Sequence, residues 1–433
     1  MSGKNKYICV HGHFYQPPRE NAWLETVEQQ QSARPFHDWN ERINFECYAP
    51  NAAARILDKE RWIVKIRNNY NRISFNFGPT LLTWMEQNDP EAYALLLKAD
   101  QRSQERYGSH GSALAQVHSH LILPLANYRD KVTQVYWGVR DFEYRFKRYP
   151  EGIWLAETAV DTETLEVLAA HGIQFTVLAP RQAKAVRKLG SASWKPVEAD
   201  TIDTRRPYCC QLPSGRRISV YFYHGRVAQE VAFNGLLNNG KAFAERLLSI
   251  LDDGPEAQLA HIATDGESYG HHHRFGEMAL AAALNHIEDN GLATLTNYGQ
   301  FLELHPPEWE VDIHENSSWS CLHGVERWRD NCGCNTGGNP GWHQRWRKPL
   351  RDTLDWLRDQ LVPAYEKAAR PYLADPWKAR NEYIEVMLRR TDNSVREFFE
   401  QQARKTLTEQ EKTKVLRLLE MQRHAVLMYT SCG

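Results

Sequence analysis

Two carboxylates, Glu157 and Asp265, stand where apolar runs stop. Glu157 ends Gly152-Ile153-Trp154-Leu155-Ala156, which reads as a short buried strand opened by the breakers Pro150 and Gly152. Asp265 follows the apolar stretch 259–263 and precedes Gly266-Glu267-Ser268-Tyr269-Gly270, where glycines let the backbone turn tightly. In α/β folds, ligands and chemistry collect beyond the C-terminal ends of parallel strands. Taken singly, such a carboxylate reads as well as a helix cap or an arginine partner. Two on different strands of one sheet are what glycoside hydrolysis uses, one as nucleophile and one as general acid and base. A third polar cluster, His11-Gly12-His13-Phe14-Tyr15-Gln16-Pro17-Pro18, follows the apolar Tyr7-Ile8-Cys9-Val10.

Histidines gather at the same places: His11, His13, His118, His120, His224 and His271 to His273 fall at expected strand ends. An aspartate and two histidines holding a divalent ion and a water would make a metal-dependent carbohydrate deacetylase, the alternative reading. That chemistry has no need of Glu157. A sugar-binding homologue that has lost catalysis predicts a missing carboxylate, and both are present. Three consecutive histidines cannot all point one way, so one of His271 to His273 is expected to face the cleft. Trp154, Tyr269 and Trp319 lie in or beside the motif stretches, and flat aromatic faces suit the C–H faces of sugar rings. Trp62, Trp84, Trp356 and Trp377 sit at helical spacing and are expected in the core.

The elements that position these residues alternate. Helices are expected at 49–66, 79–86, 90–107, 129–148 and 275–290, and strands at 73–77, 152–156, 173–178, 208–212, 217–223, 259–263 and 293–296. The stretch 112–127 should carry the third strand or the loop leaving it, and 19–41 reads as a polar loop excursion. Alternation of strand and helix argues for a parallel α/β barrel. The pattern changes near His305, and beyond residue 341 apolar residues recur at helical spacing, which predicts a helical bundle. The expected division is 1–305 and 306–433, and the apolar end at Cys432-Gly433 suggests a truncated C-terminus.

His11-Gly12-His13-Phe14-Tyr15-Gln16-Pro17, Trp154-Leu155-Ala156-Glu157 and Asp265-Gly266-Glu267-Ser268-Tyr269-Gly270 resemble, in order and placement, three signature regions of glycoside hydrolase family 57. The resemblance implies an incomplete parallel (β/α)7 barrel followed by an α-helical bundle domain that completes the cleft. It further implies a retaining hydrolase or transglycosylase acting on α-linked glucans or oligosaccharides, of the α-amylase, glucanotransferase or branching-enzyme type. Glu157 would be the nucleophile and Asp265 the general acid and base, with His11, His13, Gln16, His118, Trp154, Glu267, Tyr269 and Trp319 as substrate-binding candidates. No metal and no cofactor is implied. One departure bears on specificity: Ala115-Gln116-Val117-His118 places His118 where many members carry a substrate-contacting glutamate. A retaining pair is expected ~5–5.5 Å apart, with burial and Glu157 raising the pKa of Asp265.

Composition bounds the partners. Lys and Arg number 53 against 54 Asp and Glu, which gives no electrostatic case for nucleic acid or an anionic membrane. The N-terminal Met1-Ser2-Gly3-Lys4-Asn5-Lys6 lacks the apolar core of a signal peptide, so the expected compartment is the cytoplasm. There the eight cysteines read as reduced thiols. Cys332-Gly333-Cys334, with Cys321 and His323 nearby, imitates a zinc site at non-standard spacing, and thiols packed in a loop are the favoured reading.

Overall fold

The computed structural model describes residues 5–198, 201–335 and 337–432. It is a mixed α/β chain: strands and helices alternate as far as Trp309–Ile313, and the long elements that follow are all helices. The described residues of Met1–Ala115, Pro150–Trp154 and Gly172–His314 form one compact unit, and those of Gln116–Tyr149, Leu155–His171 and Glu315–Gly433 form another. No helix among the described residues is long and apolar enough to cross a membrane.

At the centre of the first unit lies the Lys6–Phe14 strand, buried from Ile8 onward. It pairs in parallel with Gln258–Asp265 along one edge. On its other edge it meets Thr294–Leu295 near its start and Ser74–Phe77 at its end, both parallel. A parallel strand covered on both faces is apolar for much of its length, which is why Tyr7-Ile8-Cys9-Val10 reads as a continuous run rather than an alternating one. Parallel neighbours continue beyond Ser74–Phe77. Phe75 bridges Ala113, the Ala115 N–H donates to the Gly152 carbonyl at 3.0 Å, and Gly152 bridges Phe175. Phe175–Leu178 pairs with Arg217–Phe222, and the His224 N–H donates to the His261 carbonyl at 2.8 Å. Gly152 is required by this packing, because a Cβ there would lie 2.3 Å from the Phe175 ring.

The second unit is mainly helical. Tyr365, Ala369, Leu373, Tyr383, Phe398 and Leu419 form its apolar centre. Helix starts follow ordinary capping: Asp161 accepts from the Thr164 N–H, and Thr408 with Glu411 forms a capping box. Two buried cations are paired within it. Arg380 donates to Asp130 at 2.6 Å, and Lys131 meets Asp161 at 2.8 Å and Glu163 at 2.7 Å. Truncating one partner of such a buried pair typically costs about 3–5 kcal/mol.

Several expected elements differ. The helix expected over 49–66 stops after Ala49–Ala52, and Ala54–Leu57 with Ile63–Arg67 forms an antiparallel hairpin. Its β-branched residues alternate with charged ones, a two-residue period that the helical reading overlooks. Trp62 is consequently exposed, as is Trp356 on the Arg347–Ala369 helix, whereas Trp84 is buried and Trp377 packs on the helical core. The third strand is reduced to Ala115–Gln116. Ala183–Lys188, Lys195–Pro196 and Trp309–Ile313 escape the sequence reading and extend a six-stranded mixed sheet. Lys and Arg on the partly exposed Ala183–Lys188 strand mask its strand character.

Candidate active site

In the first unit, Asn76, His13 and Asp265 are register partners across three adjacent parallel strands, with His13 in the middle. Partners in register on parallel strands project to one face. His13 and Asp265 thus sit side by side at the C-terminal ends of their strands, where strand-end chemistry is expected. The Asn76 amide lies between two imidazoles: Oδ1 is 3.1 Å from His11 Nε2 and 3.2 Å from His13 Nδ1. His11 Nδ1 lies 3.0 Å from Ser74 Oγ. Burial pushes both imidazoles down to about 3, so both are neutral across the physiological range. Trp154 stacks on both rings, with centroids 4.7 Å from His11 and 5.1 Å from His13.

Three of the expected substrate-binding residues are enclosed by this packing. His11 is fully buried, with its two ring nitrogens engaged by Ser74 and Asn76. Trp154 has no exposed surface and covers the two histidines. Tyr269 is likewise fully buried, and its hydroxyl pairs with Thr264 Oγ1 at 3.1 Å, which makes it a core residue.

Glu267 is buried, accepting from the Tyr48 hydroxyl at 2.6 Å and the Tyr15 N–H at 3.1 Å. Burial, augmented by the nearby Asp265 carboxylate, pushes its pKa up to about 8 against the pull of those donors. Asp265 itself is exposed, so the burial expected of it falls on Glu267 instead. Gly266 between them permits close approach, since a Cβ would lie 2.3 Å from the Phe14 ring. Gln16 is buried, donating to the Tyr15 carbonyl at 2.9 Å and accepting from Arg19 at 2.8 Å.

The three consecutive histidines diverge. His271 pairs with Glu46, the His273 Nε2 lies 2.9 Å from the Ala232 carbonyl, and His272 is exposed.

In the second unit, Glu157 lies in a tight turn with left-handed backbone at φ 56°, followed by Thr158 at φ 49°. Consecutive left-handed residues other than glycine are uncommon and cost roughly 1–3 kcal/mol each. Neighbouring chain holds the turn: Val160 and Ser317 form an antiparallel bridge, and the Trp319 N–H donates to the Glu157 carbonyl at 3.1 Å. The Trp319 indole Nε1 donates to Glu157 Oε2 at 2.8 Å. Trp319 was singled out for sugar stacking, and its indole N–H is engaged in fixing the carboxylate. Glu157 lines a cleft of about 410 Å³ whose walls include Trp328, Trp346, Tyr429, Arg327 and Arg351. His118, half-buried in the same unit, sets its ring edge-on to Trp137 at 5.4 Å and lies 3.2 Å from Ser119 Oγ.

Asn76, Ser74 and Tyr48 escape the sequence reading. A signal for the first two exists: in Ser74-Phe75-Asn76-Phe77, polar and aromatic residues alternate within an otherwise buried strand. One face of that strand must therefore meet polar partners.

Residues 10–314 match the family model described as glycosyl hydrolase family 57, and residues 342–433 match a domain of unknown function, DUF3536. Alpha-amylase 1 of Dictyoglomus thermophilum is 30% identical over 106 residues, covering 24% of this chain and 15% of the amylase. The chain thus matches only a small part of that amylase's length. An exo-type maltose-forming amylase from a Pyrococcus species superposes with TM-score 0.70 at 16% identity, covering 99% of this chain and 75% of that one. A branching enzyme from Pyrococcus horikoshii gives TM-score 0.58 at 16% identity, covering 99% and 97%. At these identities the structural likenesses concern the fold.

Proposed function

Because the chain belongs to glycosyl hydrolase family 57, we propose that it is a retaining glycoside hydrolase or transglycosylase acting on α-linked glucans or oligosaccharides. Glu157 attacks the anomeric carbon while Asp265 gives a proton to the leaving oxygen. Water or a sugar hydroxyl then attacks the glycosyl-enzyme, with Asp265 now accepting the proton. The run of parallel strand neighbours in the first unit supports the incomplete (β/α)7 barrel as its frame.

The observation that carries this reading is the treatment of Glu157. A nucleophile must be held in one orientation, and Glu157 is held at both backbone and carboxylate by Trp319, on a left-handed turn, at the wall of an aromatic-lined cleft. A helix cap or a surface ion pair needs none of these. His13, kept neutral beside Asp265, serves as a hydrogen-bonding group rather than a competing acid.

Incubation with maltoheptaose, amylopectin and an α-galactoside, followed by chromatography of the products, tests the proposal. Shortened or rearranged glucans are expected, with Glu157→Gln and Asp265→Asn each slower by several orders of magnitude. No product from any of the three would overturn it.

A further inference from the structure

Among the described residues between Ile313 and Arg347 there is one regular element, the short turn Glu326–Trp328. A stretch this long without secondary structure needs another source of order. Within it, Cys321, His323, Cys332 and Cys334 each offer a ligand atom, and these atoms all lie within 4.8 Å of one another. Cys321 Sγ is 3.9 Å from Cys334 Sγ and 3.9 Å from His323 Nδ1, and Cys334 Sγ is 3.4 Å from His323 Nδ1. A disulfide would need ~2.05 Å between sulfurs, so Cys321 and Cys334 are separate thiols here. Around a tetrahedral zinc with bonds of ~2.3 Å to sulfur and ~2.0–2.1 Å to nitrogen, ligand atoms stand roughly 3.5–3.8 Å apart. The separations of Cys321, His323 and Cys334 bracket that range.

We propose that Cys321, His323, Cys332 and Cys334 form a closed structural zinc site. The sequence favours packed thiols because Cys-x-His and Cys-x-Cys fit no standard paired motif; it is the folded loop that gathers the four. Binding releases the three thiol protons to solvent and leaves a Cys3His zinc centre of net charge −1. Arg347, whose Nη1 donates to Cys332 Sγ at 3.7 Å, offsets that charge. Four protein ligands leave no open position, so the ion takes no part in bond cleavage. Its effect is on the loop. Trp319 precedes Cys321 by two residues, and Arg327 and Trp328 of the Glu157 cleft lie between the two ligand pairs. The same segment folds back on itself through Ser318 Oγ to the Gly324 carbonyl at 2.8 Å and Val325 N–H to the Asn316 carbonyl at 2.9 Å. Among the described residues no other group of three or more His, Cys, Asp or Glu is placed to hold one ion. The site stands independently of the catalytic reading.

The test is metal analysis of the full chain, purified under reducing conditions without chelator. About one zinc per chain is expected, released when a mercurial blocks the thiols. Cys334→Ser and His323→Ala should each retain under about a tenth of that zinc, while Cys432→Ser retains it all. Should those variants not fold, wild-type protein stripped of metal is titrated with Co²⁺. Tetrahedral thiolate absorption should saturate at about one equivalent and bleach on adding Zn²⁺. Stripping should also lower the Tm by roughly 5 °C or more. Folded wild-type protein without zinc, an octahedral cobalt spectrum, a Cys321–Cys334 disulfide found by mass spectrometry, or variants that keep their zinc would each overturn the proposal.

Discussion

Trp319 grips Glu157 twice, with its indole N–H on Oε2 at 2.8 Å and its backbone N–H on the Glu157 carbonyl at 3.1 Å. The second contact belongs to the backbone and survives any substitution of the side chain. The first is a hydrogen bond to a carboxylate, a class that contributes about 1.5–3 kcal/mol.

Trp319→Phe keeps an aromatic ring at this position but removes the pyrrole half of the indole with its Nε1 donor. The expected result is a fall in kcat of roughly 10- to 100-fold with little change in KM, because the carboxylate loses orientation while the cleft keeps its shape. Steady-state kinetics on maltoheptaose measures this. A rise in KM at unchanged kcat would instead make Trp319 a sugar-binding surface.

Asn76 is expected to be a keystone of the strand ends. Asn76→Leu leaves His11 Nε2 and His13 Nδ1 without this partner in a buried setting. Urea unfolding should show a loss of about 1–3 kcal/mol, and a midpoint equal to wild type would contradict the bridge.

Glu267 gives stability a pH dependence of defined sign. Its folded pKa of about 8 lies above the ordinary value of 4.5, so the folded chain keeps a proton that the unfolded chain releases between them. This contribution is complete below the unfolded pKa and is lost as pH rises through the folded one. Glu267→Gln preserves an oxygen for Tyr48 and Tyr15 but does not ionise. Thermal melts at about pH 5 and about pH 9 should show the variant gaining on wild type at the higher pH, by a few kcal/mol. Parallel curves would refute the shift.

Legibility from sequence followed the physics of each residue. Glu157 and Asp265 were visible because each ends an apolar run, and the strand–helix alternation around them was visible for the same reason. Their partners were less so. Trp319 lies 162 positions from Glu157 and bonds it through a bridge between two irregular segments, Val160 and Ser317, that carry no periodic signal. Asn76 was hidden by the expectation that a buried strand is apolar, and Tyr48 by the polar contact it makes in an otherwise aromatic core. Burial was misassigned between Asp265 and Glu267, because two residues of one turn face opposite environments and only the fold decides which. The cysteine–histidine cluster was visible as a group of residues, but its unusual spacing argued for packed thiols, and the proximity of the four ligand atoms comes from the path of the loop.

The most direct test is to trap the glycosyl-enzyme. Treatment with 5-fluoro-α-D-glucosyl fluoride, proteolysis and mass spectrometry of the peptides should place one hexosyl adduct on Glu157, absent from Glu157→Gln. An adduct on another carboxylate, or turnover of the reagent with inversion and no adduct, would contradict the assignment of Glu157 as the nucleophile.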